Sequence, residues 1–178
     1  MSWLRTGITR SSKNTSVKIQ KIGEASWRDI LAIQDESYKE IGSESLEVLQ
    51  DKWHISPDTC FVCISDEGNV AGYLLSHPWF RSEPPKLFEQ LASSEEQAIE
   101  YLYLHDIAIH PEFRGRAVGH SMVKALFNVA TQKNFRKVSL VAVQGSASFW
   151  LLQGFHERPN VRVGSEYGNG AVFMEKQL

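Results

Sequence analysis

The stretch from Leu104 to His120, Leu-His-Asp-Ile-Ala-Ile-His-Pro-Glu-Phe-Arg-Gly-Arg-Ala-Val-Gly-His, constrains the fold more than any other part of this chain. Tyr101 to Ile109 is a near-continuous apolar run of strand length. A loop bearing Pro, Arg and Gly then leads into a helix predicted over Gly115 to Lys133, with Val118, Met122, Leu126 and Val129 inward. A strand running into a helix N-terminus turns several backbone N–H groups, and the positive end of the helix dipole, toward an anion. The loop has neither the Gly-Lys-Ser/Thr of a P-loop nor the G-x-G-x-x-G of a dinucleotide fold. The pyrophosphate expected here belongs to another cofactor.

The rest of the chain supplies a sheet for that strand. Val17 to Ile22 alternates as a first strand, Ser26 is placed to cap a helix containing Ile30, Ile33, Gln34 and Tyr38, and a second helix after Ser43 buries Leu46, Leu49 and Trp53. Cys60 to Ile64 and Val70 to Ser76 flank Asp-Glu-Gly-Asn, a hairpin signature. Residues 78–98, with Pro78, Pro84, Pro85 and a Ser-Ser-Glu-Glu stretch, resist regular structure. Val138 to Val143 is a further buried strand, Ser146 to Gln153 a short helix ended by Gly154, and a last strand from Gly170 contains Phe173. The sum is a mixed α/β domain over residues 17–178, preceded by an extension over 1–16. The stretch before Glu24 is basic, which fits a solvated tail or an organelle transit peptide.

Composition narrows the function. With 178 residues the chain is long enough for one core. Its 19 basic against 21 acidic residues argue against nucleic acid as a partner. The absence of a long apolar run argues against a membrane span and for a cytoplasmic protein. Cys60 and Cys63 are expected on opposite faces of one strand, without further ligands at metal spacing, so no metal is expected.

Arg114 to Gly119 follows the pattern [Q/R]-x-x-G-x-[G/A] except that Ala117 stands at its Gly, and Ser146-Ala-Ser-Phe-Trp-Leu-Leu-Gln-Gly-Phe155 comes after it. On these residues the chain resembles the GCN5-related N-acetyltransferase (GNAT) superfamily, and through His105 more distantly its arylalkylamine N-acetyltransferase branch. The resemblance implies a mostly antiparallel mixed sheet of six to seven strands, splayed between strands 4 and 5. It also implies acetyl transfer from acetyl-CoA to a primary amine, on a small molecule or a peptide, by direct attack and without a metal. Homodimers are common among similar proteins.

Carried onto this sequence, the resemblance assigns cofactor contacts to Ile107, Ala108 and Ile109 through backbone N–H groups freed by a strand bulge. It adds Arg114, Gly115, Arg116, Ala117, Val118, Gly119 and His120 in the phosphate loop. Trp150 falls where the family usually has a Tyr that serves the leaving sulfur; its indole N–H donates but is no useful acid. Ala117 replaces the motif's central Gly, at little expected cost for a helix start. Strict alternation sets Tyr103, His105 and Ile107 against Leu104, Asp106 and Ala108. His105 is the expected base, with a hydrogen-bonded core histidine as the alternative. Asp106 and Tyr103 complete the catalytic candidates, Asp106 reading first as a carboxylate that fixes the bulge or a neighbouring loop. Glu36, Tyr38, Trp79 and Tyr167 are candidate walls of the acceptor site. Ala117 and Trp150 also motivate a second reading, a non-catalytic acyl-CoA-binding sensor.

Overall fold

A computed structural model describes residues 16–91 and 100–178. The expected extension over 1–16 lies outside the described residues except for its last residue, as does the Ser-Ser-Glu-Glu stretch at 93–96. Four α-helices, α1 (Trp27–Ser37), α2 (Leu46–Ile55), α3 (Val118–Gln132) and α4 (Ala147–Leu152), cover a seven-stranded sheet. The strands are β1 (Val17–Lys21), β2 (Phe61–Ser65), β3 (Val70–Pro78), β4 (Tyr101–Ile109), β5 (Lys137–Ala142), β6 (His156–Glu157) and β7 (Val172–Gln177). Their order is β1-β2-β3-β4-β5-β7-β6, antiparallel except where β4 meets β5. No helix among the described residues is long and apolar enough to cross a membrane.

Two apolar layers sandwich the sheet. Met122, Val123, Leu126 and Ala130 of α3 pack with Leu102, Leu104, Val138 and Leu140 on one face. Trp27, Ile30, Ile33 and Leu49 pack with Val62, Tyr73 and Leu75 on the other. Cys63 lies in the first layer and Cys60 in the second, so the two sulfurs diverge as alternation demands. On α2 the fully inward residues are Val48, Leu49 and Lys52, whereas Leu46 and Trp53 pack at the rim. Lys52 has no exposed surface.

Two irregularities in β4 create the site. Its pairing with β5 stops after Tyr103 and Ser139, so the sheet parts from Leu104 onward. On the other side Leu75 pairs with Asp106 and Ser76 with Leu104, leaving His105 as the extra residue of a bulge. The bulge resets the alternation. Leu102 and Leu104 share the α3 layer with Ile107 and Ile109, while Ala108 faces the α1 layer. Strict alternation across β4, which separates His105 from Asp106, is therefore corrected: both side chains meet groups from the α1–α2 side. Gly72 permits this close strand packing, because a Cβ there would stand 2.8 Å from the Ala108 carbonyl oxygen and 2.7 Å from Ile109 Cδ1.

Candidate active site

A cleft of about 600 Å³ fills the opening between β4 and β5 and reaches the N-terminus of α3. At that end the chain makes two left-handed residues, Gly115 (φ 74°) and Ala117 (φ 58°), before the helix begins at Val118, three residues later than the sequence suggests. Alanine in this region is disfavoured by about 1–2 kcal/mol. The expectation that Ala117 costs little is thus corrected: it stands ahead of the helix in a strained conformation. The result is a run of amides at a helix start, with open space beside Gly115, suited to an anion. Arg114 is braced over it, its Nε donating to the Ile109 carbonyl (3.0 Å) and its Nη2 to Ser37 Oγ (3.3 Å). His120 Nδ1 meets Gln153 Oε1 at 2.8 Å, and Arg116 lies over the Phe113 ring.

The carbonyls of Ile107 and Ile109 accept from Tyr38 Oη and Arg114 Nε rather than from β3. Since N–H and C=O of one strand residue point the same way, the amides of Ile107 and Ile109 face the opening. Ala108 differs: it is buried on the far face and does not line the cleft.

At the bulge a buried polar network converges. His105 Nε2 lies 2.5 Å from Glu44 Oε2, and Glu44 Oε1 accepts from the Phe88 amide (2.7 Å) and faces Lys52 Nζ at 3.5 Å. Gln34 clamps Glu44 through both backbone groups, donating to its carbonyl (3.0 Å) and accepting from its amide (3.1 Å). Burial alone would raise the Glu44 carboxyl, but His105, Lys52 and the Phe88 amide outweigh it and hold the group at about 2. Glu44 is therefore an ionised, acceptor-only carboxylate. In the neutral ring the proton then sits on Nε2, and the lone pair on Nδ1, which has no partner among the described residues.

Asp106 is engaged on both oxygens, by Tyr38 Oη and Tyr73 Oη at 2.5 Å each. Burial raises its carboxyl above the usual range, with the two hydroxyls opposing. It joins α1 to the bulge. Nearby His77 is buried and donates from Nδ1 to the Pro78 carbonyl (2.9 Å); burial, then the neighbouring His105, lowers it to about 3.

The structure brings His105, Asp106, Tyr38, Tyr167 and Trp150 to the cleft with the loop from Arg114 to Gly119. Other candidates stand elsewhere. Tyr103 is buried behind the wall, its hydroxyl 3.1 Å from that of Tyr167. Glu36 is exposed and pairs with Lys39. Trp79 donates to the Glu83 carbonyl (2.7 Å), meets His77 edge-to-face and does not line the cleft. Trp150 lines the cleft while packing edge-on against Phe149 and Phe155. Glu44 and Phe88 escaped the sequence reading. Lys52 carried the one available signal, since a lysine on the inward stripe of α2 requires a buried counter-charge.

The model of the acetyltransferase (GNAT) family matches residues 27–155. The chain belongs to the GNAT acetyltransferase family. Membership supports acyl-CoA-dependent N-acetyltransferase activity, with acetyl-CoA as acyl donor. No curated protein matches this chain. Among solved structures, Ard1 from Thermoplasma volcanium is 15% identical over 91% of this chain and 97% of its own, with TM-score 0.70. The NatC complex bound to Gag peptide and CoA shows 15% identity, 91% and 98% coverage and TM-score 0.68. The C-terminal condensation domain of Ebony, in complex with beta-alanyl-dopamine, shows 14% identity, 92% and 100% coverage and TM-score 0.69. At these identities the likeness is one of fold.

The GNAT chain's own residues fit the donor. Gly115 leaves the amide cradle open, and a Cβ at Gly119 would meet Phe149 no closer than 3.6 Å, so the α3 entrance is not crowded. The cleft leads from there past Ile109 and Ile107 to His105.

Proposed function

We propose that this chain transfers an acetyl group from acetyl-CoA to a primary amine by direct attack, within one catalytic unit over residues 17–178. The observation that carries this reading is the Glu44–His105 pair at the point where β4 and β5 part, with Nδ1 of the imidazole left unpartnered. An alkylamine is mostly protonated at neutral pH and must lose a proton to act as nucleophile. His105 accepts that proton on Nδ1, which is buried at the end of the cleft, through a water. The ionised Glu44 fixes the ring and stabilises the imidazolium that results. The amides of Ile107 and Ile109 offer donors to a developing oxyanion.

Bound acetyl-CoA supplies a thioester carbonyl open to attack and a thiol that leaves. Gly115, Ala117, Val118 and Gly119 hold the pyrophosphate through backbone N–H groups, with Arg114 beside them. Cys60 and Cys63 play no nucleophilic part, since burial pushes their thiols up to about 12 and about 11. Calorimetry with acetyl-CoA, followed by thiol release against a panel of amines, tests the reading. Saturable binding with amine-dependent release supports it; absence of binding overturns it.

A further inference from the structure

Lys52 is a fully buried lysine on α2, beside Val48 and Leu49 on the inward stripe of that helix. Replacing a buried ion pair by well-packed apolar groups is often neutral or stabilising, so packing alone does not explain a lysine here. Its Nζ donates to the Val48 carbonyl (3.3 Å) and the Glu89 carbonyl (3.2 Å) and faces Glu44 Oε1 at 3.5 Å. Three acceptors match the three N–H donors of an ammonium, a form that a buried amine keeps where an anion stands beside it. Burial pulls this ammonium below the ordinary lysine value, and Glu44 leads the groups that oppose the change.

The Glu44 carboxylate thus lies between two partners, Lys52 at Oε1 and His105 at Oε2, with the Phe88 amide also on Oε1. The ionisable groups packed around them are engaged elsewhere or neutral. Asp106 of β4 accepts from Tyr38 and Tyr73, and Asp51 of α2 accepts from the Leu91 amide. The side chains of Lys86 and Glu89 are exposed and pair with each other at 3.6 Å. His77 of β3, its ring centroid 6.0 Å from that of His105, is held neutral by burial first and then by His105. Tyr103, its ring centroid 6.2 Å from that of His105, keeps its hydroxyl proton because it is buried.

One cation and one anion leave the resting set of Lys52, Glu44 and His105 without net charge. Deprived of Lys52, the buried Glu44 carboxylate would draw its balance from solvent as a proton. If that proton stays on the ring, it occupies Nδ1. If it passes to Glu44, the carboxylic O–H donates to Nε2 and the remaining ring hydrogen sits on Nδ1. Both arrangements fill the position that must accept the substrate's proton.

Resting on the reading that His105 takes the amine's proton, we infer that Lys52 is a positioning residue of the reaction: its ammonium balances Glu44 inside the fold, so that His105 rests with its hydrogen on Nε2 and with Nδ1 free.

The test uses the full chain with acetyl-CoA and whichever of butylamine, putrescine, phenethylamine and the peptide Ala-Ala-Ala turns over fastest. Lys52→Met keeps the length of the stem and removes the charge. Its kcat/KM is expected to lie about tenfold or more below the wild type's at neutral pH and to approach it as pH rises, with the Kd for acetyl-CoA unchanged. Taking the ratio of variant to wild type at each pH cancels the ionisation of the amine itself. Added to Glu44→Gln, Lys52→Met is expected to cost less than about twofold further, because it acts through that carboxylate. In the unsubstituted chain, heteronuclear NMR is expected to show the Lys52 nitrogen as an ammonium at neutral pH. A ratio that does not change with pH, a fully additive loss in the double variant, or a neutral amine at Lys52 overturns the inference and leaves the transferase reading standing. Failure of the wild type to bind acetyl-CoA, or to turn over any of the four acceptors, overturns both.

Discussion

Glu44 Oε2 stands 2.5 Å from His105 Nε2, joining a carboxylate from the α1–α2 loop to the one residue of β4 that the bulge leaves without a β3 partner. The pair decides which imidazole nitrogen carries the proton. Glu44→Gln keeps the shape and a possible acceptor but removes the charge that stabilises the imidazolium. A loss of about 10–100-fold in kcat/KM is expected, with the Kd for acetyl-CoA unaltered, by analogy with other groups that orient an active imidazole. Steady-state kinetics and calorimetry on the same preparation check it.

His77 gives the fold an acid sensitivity of its own. Its ring is held neutral, at about 3 against an ordinary 6.5, so between those values the unfolded chain binds a proton that the folded chain does not. Stability therefore falls as pH drops through that window, with a limiting slope of about 1.4 kcal/mol per pH unit from this group. His77→Asn retains a donor for the Pro78 carbonyl and cannot titrate. Its urea midpoint is expected to decline less steeply than the wild type's between pH 6.5 and about 4, once the shared carboxylate contribution is subtracted.

Glu44 works in the same direction at lower pH. Its folded value of about 2 lies below the ordinary 4.5, so its contribution is complete above 4.5 and lost as pH falls toward 2. In a urea-midpoint titration, Glu44→Gln is expected to lack this lower limb.

Ala117→Gly should stabilise the chain. Relief of the left-handed alanine is worth about 1–2 kcal/mol and the added freedom of glycine in the unfolded chain costs about 0.5–1 kcal/mol, leaving a net gain of up to about 1.5 kcal/mol. Chemical denaturation measures it directly.

Gly72→Ala forces a methyl against the Ala108 carbonyl and Ile109, residues that carry the open edge of β4. A loss of about 1–3 kcal/mol is expected from overpacking, together with weaker acetyl-CoA binding as Ile109 shifts. Melting and calorimetry on the variant report the two effects separately.

The parts of the site that local pattern encodes were legible in the sequence. The bounds of β4, the glycine-bearing turn before α3 and the α4 segment follow from apolar periodicity and glycine placement, and the family match spans all of them. What was missed depends on contacts distant in sequence. The resemblance implies a bulge in β4, but its position at His105 is a matter of register between β3 and β4, invisible to alternation within one strand. The late start of α3 follows from the left-handed Ala117, a conformation that composition does not announce. Glu44 lies in a loop with no periodicity, and only the inward Lys52 hints that an anion is buried nearby. Trp79 drew attention as the more conspicuous aromatic, yet Phe88, nine residues further on, borders the cleft because Glu44 and Lys52 pin its segment there.

The most direct measurement is the pH dependence of kcat/KM for amine-dependent CoA release, compared between the wild type and His105→Gln. With His105 as base, the variant is expected to lose about 10²–10⁴-fold at neutral pH and to recover as rising pH deprotonates the amine, while its Kd for acetyl-CoA stays that of the wild type. A variant with the same rate and the same profile as the wild type would contradict the assignment of His105.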